Sequence, residues 1–63
     1  MFNIYVVMPS GARSRGYERV TEEKALECFE QVKRQIESFD FSGAVVLSND
    51  GKELCREVFG AQG

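Results

Sequence analysis

Residues 21–39 read TEEKALECFEQVKRQIESF, and their apolar spacing decides the fold class. Ala25, Phe29, Val32, Ile36 and Phe39 recur at intervals of four, three, four and three, the period of one helical face. Leu26 and Cys28 broaden that stripe. Thr21 offers a side-chain oxygen to the free amides of a helix start, and Glu22 and Glu23 suit the positive end of the helix dipole. Lys24 stands where a capping box needs Glu or Gln, so the cap is a simple one. Glu30 and Arg34, one turn apart on the opposite side, form a favourable pair. The spacing predicts a helix over 22–38 that ends before Asp40, Ser42 and Gly43.

On the carboxyl side, Ala44 to Leu47 is a continuous apolar run and Lys52 to Phe59 a second extended segment. Between them lie Ser48, Asn49, Asp50 and Gly51, which predicts a hairpin over 44–59. Asp-Gly supplies the positive φ angles of a tight two-residue turn, with a three-residue turn and a bulge at Gly51 as the close alternative. The two-residue register is preferred because it aligns Val45 and Leu47 with Leu54 and Val58 on one face. Residues 60–63 read as a frayed tail.

On the amino side, Phe2 to Met8 is rich in β-branched and aromatic residues and halts at Pro9, which has no amide donor, so a strand is expected over 2–8. Residues 9–20 read as a long loop. Its three arginines, Arg13, Arg15 and Arg19, set against the single acid Glu18, give it a positive balance in a chain whose net charge is -2.

These elements make one domain, 1–63, of the small α+β (α/β) class with order β-α-β-β. A helix joining the first two strands implies a parallel pair through a right-handed crossover, with the third strand antiparallel, hence a three-stranded mixed sheet with one helix on one face. The second strand, the most apolar, is expected at the centre, and the third, bearing Glu53, Arg56 and Glu57, at an edge. Phe2, Ile4, Val6, Met8, Val45, Leu47, Leu54 and Val58 then meet the helix. The other face holds Tyr5, Val7, Val46, Cys55 and Phe59 beside Asn3, Ser48, Glu53 and Glu57.

A chain of 63 residues buries only about 60% of the surface its unfolded form exposes. A core of that size supplies roughly 3–5 kcal/mol, and small domains often add disulfides, metals or self-association. The sequence has no histidine and two cysteines, Cys28 and Cys55, too far apart for a zinc ligand set, so no metal and no cofactor is expected. Both thiols are expected to be buried and reduced, as in a cytoplasmic protein. The apolar run at the amino end lacks the basic flank and length of a signal peptide, and no stretch approaches the roughly 20 apolar residues of a membrane span. A soluble, cytoplasmic protein with no membrane partner is expected.

Gly11 and Gly16 stand at the spacing of a phosphate-cradling loop. However, Tyr17 and Glu18 occupy the places of the Lys and Ser or Thr that grip phosphate and magnesium. Without histidine there is no group titrating near neutrality, and neither cysteine has a base partner, so no catalytic residue is assigned. The expected function is a non-catalytic protein-binding module that works by surface occlusion. Small inhibitors carried by phage and mobile elements, of the anti-CRISPR type, and accessory subunits act in this way; the comparison rests on size and on the missing chemistry. Two surfaces are the candidate partner-binding sites: the uncovered sheet face with Tyr5, Val7, Val46 and Phe59, and the loop with Arg13, Arg15, Tyr17 and Arg19. The alternative is a nucleic-acid or phosphate-backbone-binding accessory module using the arginine loop. Homodimerisation through the open face or a strand edge is expected from the thin core.

Overall fold

The computed structural model describes residues 1–14, 16–39 and 41–60. Strand β1 spans Phe2–Val7, and Met8, assigned to it and to the core from sequence, lies beyond its end and is exposed. Here the chain reverses. The Gly11 amide donates to the Met8 carbonyl (2.8 Å) and the Met8 amide to the Ala12 carbonyl (2.7 Å), which closes a three-residue connection of Pro9, Ser10 and Gly11. Proline favours the first inner position of such a turn, and Gly11, at φ 95°, takes the left-handed residue that ends it.

The returning arm is a strand. Arg13 bridges to Val7, Ser14 bonds to Val6, and β2 (Tyr17–Arg19) pairs antiparallel with β1, Tyr17 opposite Ile4 and Arg19 opposite Phe2. The expected loop over 9–20 is therefore half of a hairpin. The register to β1 shifts by one residue between Arg13 and Tyr17, a stretch in which Gly16 has φ 79°.

This reversal corrects the topology. Helix α1 (Glu22–Glu37) starts at the Phe2 end of the sheet and delivers β3 (Gly43–Asn49) antiparallel to β1, with Val7 opposite Ala44 and Phe2 opposite Asn49. The helix thus joins β2 to β3, which run in the same direction with β1 between them. Strand β4 (Lys52–Phe59) returns through Asp50 and Gly51 at φ 53° and 83°, the two left-handed residues of a two-residue turn. The result is a small α+β domain whose sheet, in the order β2-β1-β3-β4, is four-stranded and wholly antiparallel, not three-stranded and mixed. Strand β3 is central and β4 lies at an edge, as their apolar and charged residues require.

The helix follows its sequence signals closely. The Lys24 amide donates to Thr21 Oγ1 (3.2 Å), so Thr21 caps as expected, and Ser38 closes the other end. Ala25, Cys28, Phe29 and Val32 are buried against Ile4, Val45 and Leu47, with Phe2, Val6 and Ile36 packed at the rim. Phe39 lies past the last turn and is 67% exposed, and Leu26 points away from the sheet; neither belongs to the buried stripe. Glu30 pairs with Lys33 (3.3 Å) instead of Arg34. The shortest dimension of the molecule, 17 Å, matches one sheet plus one helix of about 10 Å diameter.

The second hairpin begins in the expected register and then departs from it. Asn49 faces Lys52 and Ser48 faces Glu53, but Leu47 faces Cys55, so Leu54 is an extra residue, a β-bulge. Every residue beyond it changes face. Cys55, Glu57 and Phe59 fall on the helix side, where Phe59 packs against the core and Glu57 lies 3.9 Å from Lys33. Val58, expected in the core, is 70% exposed on the other face, and Leu54 is also exposed. Cys28 is buried, but Cys55, expected buried, is an exposed free thiol. The tail beyond Gly60 lies outside the described residues.

Candidate functional site

The sheet face without a helix is built by all four strands, β2 contributing Glu18 opposite Asn3. Strand β1 contributes Asn3, Tyr5 and Val7; β3 contributes Ala44, Val46 and Ser48; β4 contributes Glu53, Arg56 and Val58. Val46 is 0% exposed although no helix lies over it. Its ladder neighbours are Tyr5 and Arg56, and long side chains of this kind shelter a small apolar residue beneath them while keeping their polar ends in water. The face is thus a thin polar and aromatic canopy over a buried strand, with Val58 as its one large exposed apolar residue.

Two guanidinium groups stand on that canopy. Arg13 lies over the Tyr5 ring at 5.0 Å from its centroid, held there by the bridge to Val7. At an exposed position such a contact is worth about 0.5–1 kcal/mol. Arg56 grips Glu53 with two hydrogen bonds, Nε to Oε2 at 3.0 Å and Nη2 to Oε1 at 2.9 Å. The hydrogen bond from Arg56 holds the Glu53 carboxyl below the usual glutamate range, and the same bond raises Arg56. Arg13 has no carboxylate partner among the described residues. Beside Arg13 lies a shallow hollow of about 390 Å³ lined also by Asn3, Tyr5, Ser14, Ser48, Gly51 and Glu53.

Of the residues singled out in the sequence, Tyr5, Val7 and Val46 share this face, and Arg13 joins them. Phe59 does not, because the bulge turns it to the helix side. Tyr17 and Arg19 also leave, since they sit opposite Ile4 and Phe2, whose side chains face the helix. Arg19 lies over Tyr17 at 5.8 Å, and its Nη1 donates to the Glu18 carbonyl at 2.6 Å. Arg15 lies outside the described residues. Arg13 and Arg19 therefore point to two sides of the sheet and form no single finger. Arg56 is a site residue that the sequence pattern conceals. In a regular strand it would lie on the opposite face from Glu53, and only the bulge brings the two together.

A second hollow, about 370 Å³, opens on the helix side between α1 and the first hairpin, lined by Ile4, Val6, Tyr17, Val32, Gln35 and Ile36. Its lining includes no carboxylate, lysine or arginine. Among the described residues, no strand neighbours the outer edge of β4, and seven of its eight residues are exposed. Among the described residues, no three His, Cys, Asp or Glu side chains come together as metal ligands, and no helix is long and apolar enough to cross a membrane. Comparison with protein-family models, with curated proteins and with solved structures gives no match to this chain.

Proposed function

We propose that this chain is a non-catalytic protein-binding module that works by covering a partner's surface with its uncovered sheet face. The observation that carries this is Arg13, fixed on the Tyr5 ring beside a polar hollow and left without a carboxylate of its own among the described residues. Tyrosine and arginine are the residues that most often dominate binding energy at protein interfaces, because each combines a broad apolar surface with hydrogen-bonding ends. A pre-positioned arginine also costs less ordering entropy when it meets its partner. The matching surface is an acidic side chain of a protein, set beside an apolar patch that receives Val58. A small inhibitor of the phage or mobile-element kind, anti-CRISPR proteins among them, or an accessory subunit fits this mode of action.

The test is capture from the native host by tagged chain, comparing the parent with Tyr5→Ala, Arg13→Ala and Arg19→Ala. Loss of one specific partner with the first two, and retention with the third, supports the reading. Each truncation should weaken binding by about 30-fold if it costs the roughly 2 kcal/mol of a hot-spot residue. Loss with Arg19→Ala and retention with Tyr5→Ala, together with binding that falls steeply as salt rises, would instead indicate phosphate-backbone contacts and overturn the sheet-face proposal.

A further inference from the structure

We infer that two copies of this chain pair through the outer edges of their β4 strands, antiparallel about a two-fold axis through the bulge at Leu54–Cys55, into one eight-stranded sheet. An unpaired edge of eight residues is a ready template for another strand, and natural proteins either blunt such edges or use them. What selects a second copy is the sequence of the edge read in its actual register.

In the ladder to β3 the bulge counts as a single rung, because Leu54 is the extra residue between the pairs Ser48–Glu53 and Leu47–Cys55. Glu53 and Arg56 then lie one rung to either side of it, on the uncovered face. Lys52 and Glu57, opposite Asn49 and Val45, lie two rungs to either side, on the helix face. A two-fold axis normal to the sheet preserves faces and sets each residue against the one equally far from the axis. Centred on the bulge, it places Glu53 against Arg56 of the second copy and Lys52 against Glu57 of the second copy, each twice. All four pairs are of opposite charge and each is on a single face.

The neighbouring registers fail. Centring the axis on Lys52, Glu53, Arg56 or Glu57 sets that residue directly against its own copy, like charge against like, which destabilises an antiparallel pair. In the bulge-centred dimer the intrachain Arg56–Glu53 bonds become half of a closed ring of two arginines and two glutamates. Edge pairing alone covers less than the roughly 800 Å² per partner of a standard interface, so association is in the micromolar range and weakens with salt. Both uncovered faces end on the same side of the joined sheet, which doubles the surface carrying Tyr5 and Arg13; that consequence rests on the proposed function, while the pairing does not.

Charge exchange tests it. Sedimentation velocity of the parent chain should show a concentration-dependent dimer. Glu53→Lys alone and Arg56→Glu alone should each weaken it by about tenfold or more, because each replaces two attractive contacts with two repulsive ones. An equimolar mixture of the two variants should dimerise again, since every contact between unlike chains is then attractive. Circular dichroism establishes that the variants are folded, and Glu53→Gln with Arg56→Gln replace any reversal that is not. A parent that stays monomeric at every concentration reached, variants that associate like the parent, or a folded mixture that remains monomeric would each overturn the inference. None of these results bears on capture of a heterologous partner through Tyr5, so the two proposals fail separately.

Discussion

Gly16→Ala should destabilise the fold more than the same change at either of two other left-handed glycines. Gly11, Gly16 and Gly51 have φ of 95°, 79° and 83°, so a side chain at any of them incurs the left-handed penalty of about 1–2 kcal/mol. At Gly11 and Gly51 nothing lies within 4 Å of the added Cβ, and the cost stops there. At Gly16 the Cβ runs into the Ile4 carbonyl oxygen and stands 2.9 Å from Tyr5 Cβ. Both obstacles are fixed in the central part of β1, and Ile4 is fully buried. Relief therefore requires β2 to move off β1, which adds about 1–3 kcal/mol of the kind seen when cores are overpacked.

The total for Gly16→Ala is thus about 2–5 kcal/mol, against a whole-domain stability of roughly 3–9 kcal/mol for 63 residues. At about 4–8 °C per kcal/mol, Gly11→Ala and Gly51→Ala should lower Tm by about 4–16 °C, and Gly16→Ala by about 8 °C at the least. Urea titration followed by far-ultraviolet circular dichroism separates them, with unchanged slopes showing that the unfolded states are alike. Equal losses at the three positions would refute the claim that Gly16 is needed for close approach of two strands and not merely for its φ.

Val46→Asp should abolish folding, because it buries a carboxylate at a position 0% exposed whose cationic ladder neighbour, Arg56, is already engaged by Glu53. Circular dichroism at neutral pH reads this directly, and a folded, stable Val46→Asp chain would contradict the sheltered position of that residue. For the same reason Tyr5, not Val46, is the residue through which the uncovered face can be probed without unfolding the chain. The Glu53 carboxyl, lowered by its hydrogen bond from Arg56, contributes its pairing above the ordinary glutamate pKa and loses it as pH falls through the depressed folded value. A carbon-detected titration should place the Glu53 midpoint below that of the denatured chain, and Arg56→Gln should raise it; an unmoved midpoint would mean that the pair does not persist in solution.

Much of this fold was legible because long elements carry redundant signals. The helix was marked by Thr21, by acids in its first turn and by the stripe from Ala25 to Ile36, so losing Leu26 and Phe39 from that stripe changed nothing. Asp50 and Gly51 fixed the second turn by the φ angles they alone tolerate. The first hairpin had no such redundancy. Strand β2 has three residues, one of them a strong β-former, and the one-residue register shift between Arg13 and Tyr17 interrupts any alternation that would reveal it. Pro9, Ser10 and Gly11 are turn residues in a loop as much as in a hairpin. Missing one short strand inverted the direction of every later strand relative to β1, since each reversal of the chain flips all the strands after it. It also split the arginines, because a loop lets Arg13 and Arg19 converge whereas a strand assigns them to faces.

The bulge at Leu54 shows why face assignment on an edge strand is beyond simple alternation. In KELCREVF the two alternating sets are Lys52, Leu54, Arg56, Val58 and Glu53, Cys55, Glu57, Phe59, and each holds two apolar residues. Periodicity alone gives no preference, so a two-residue turn extended without interruption puts Val58 inside. The regular register leaves the aromatic ring of Phe59 in water, whereas the bulge places Phe59 and Cys55 on the helix side and leaves Val58 out. Aromatic side chains bury about 150–250 Å². At about 25 cal/mol per Å² the exchange of a valine for a phenylalanine in the interior is worth of the order of 1 kcal/mol or more, enough to offset one unpaired rung. The same shift brings Arg56 onto the face of Glu53, three residues earlier, where they form two hydrogen bonds that a flat strand forbids. Core packing, the exposed ion pair and the symmetry of the free edge therefore depend on Leu54 being set out of the ladder as a bulge. Deleting Leu54 should leave a regular alternation with Cys55, Glu57 and Phe59 still toward the helix and Arg56 still on the face of Glu53, now two residues apart in the chain, so the Glu53 midpoint stays depressed; a deletion that parts the pair would refute the bulge.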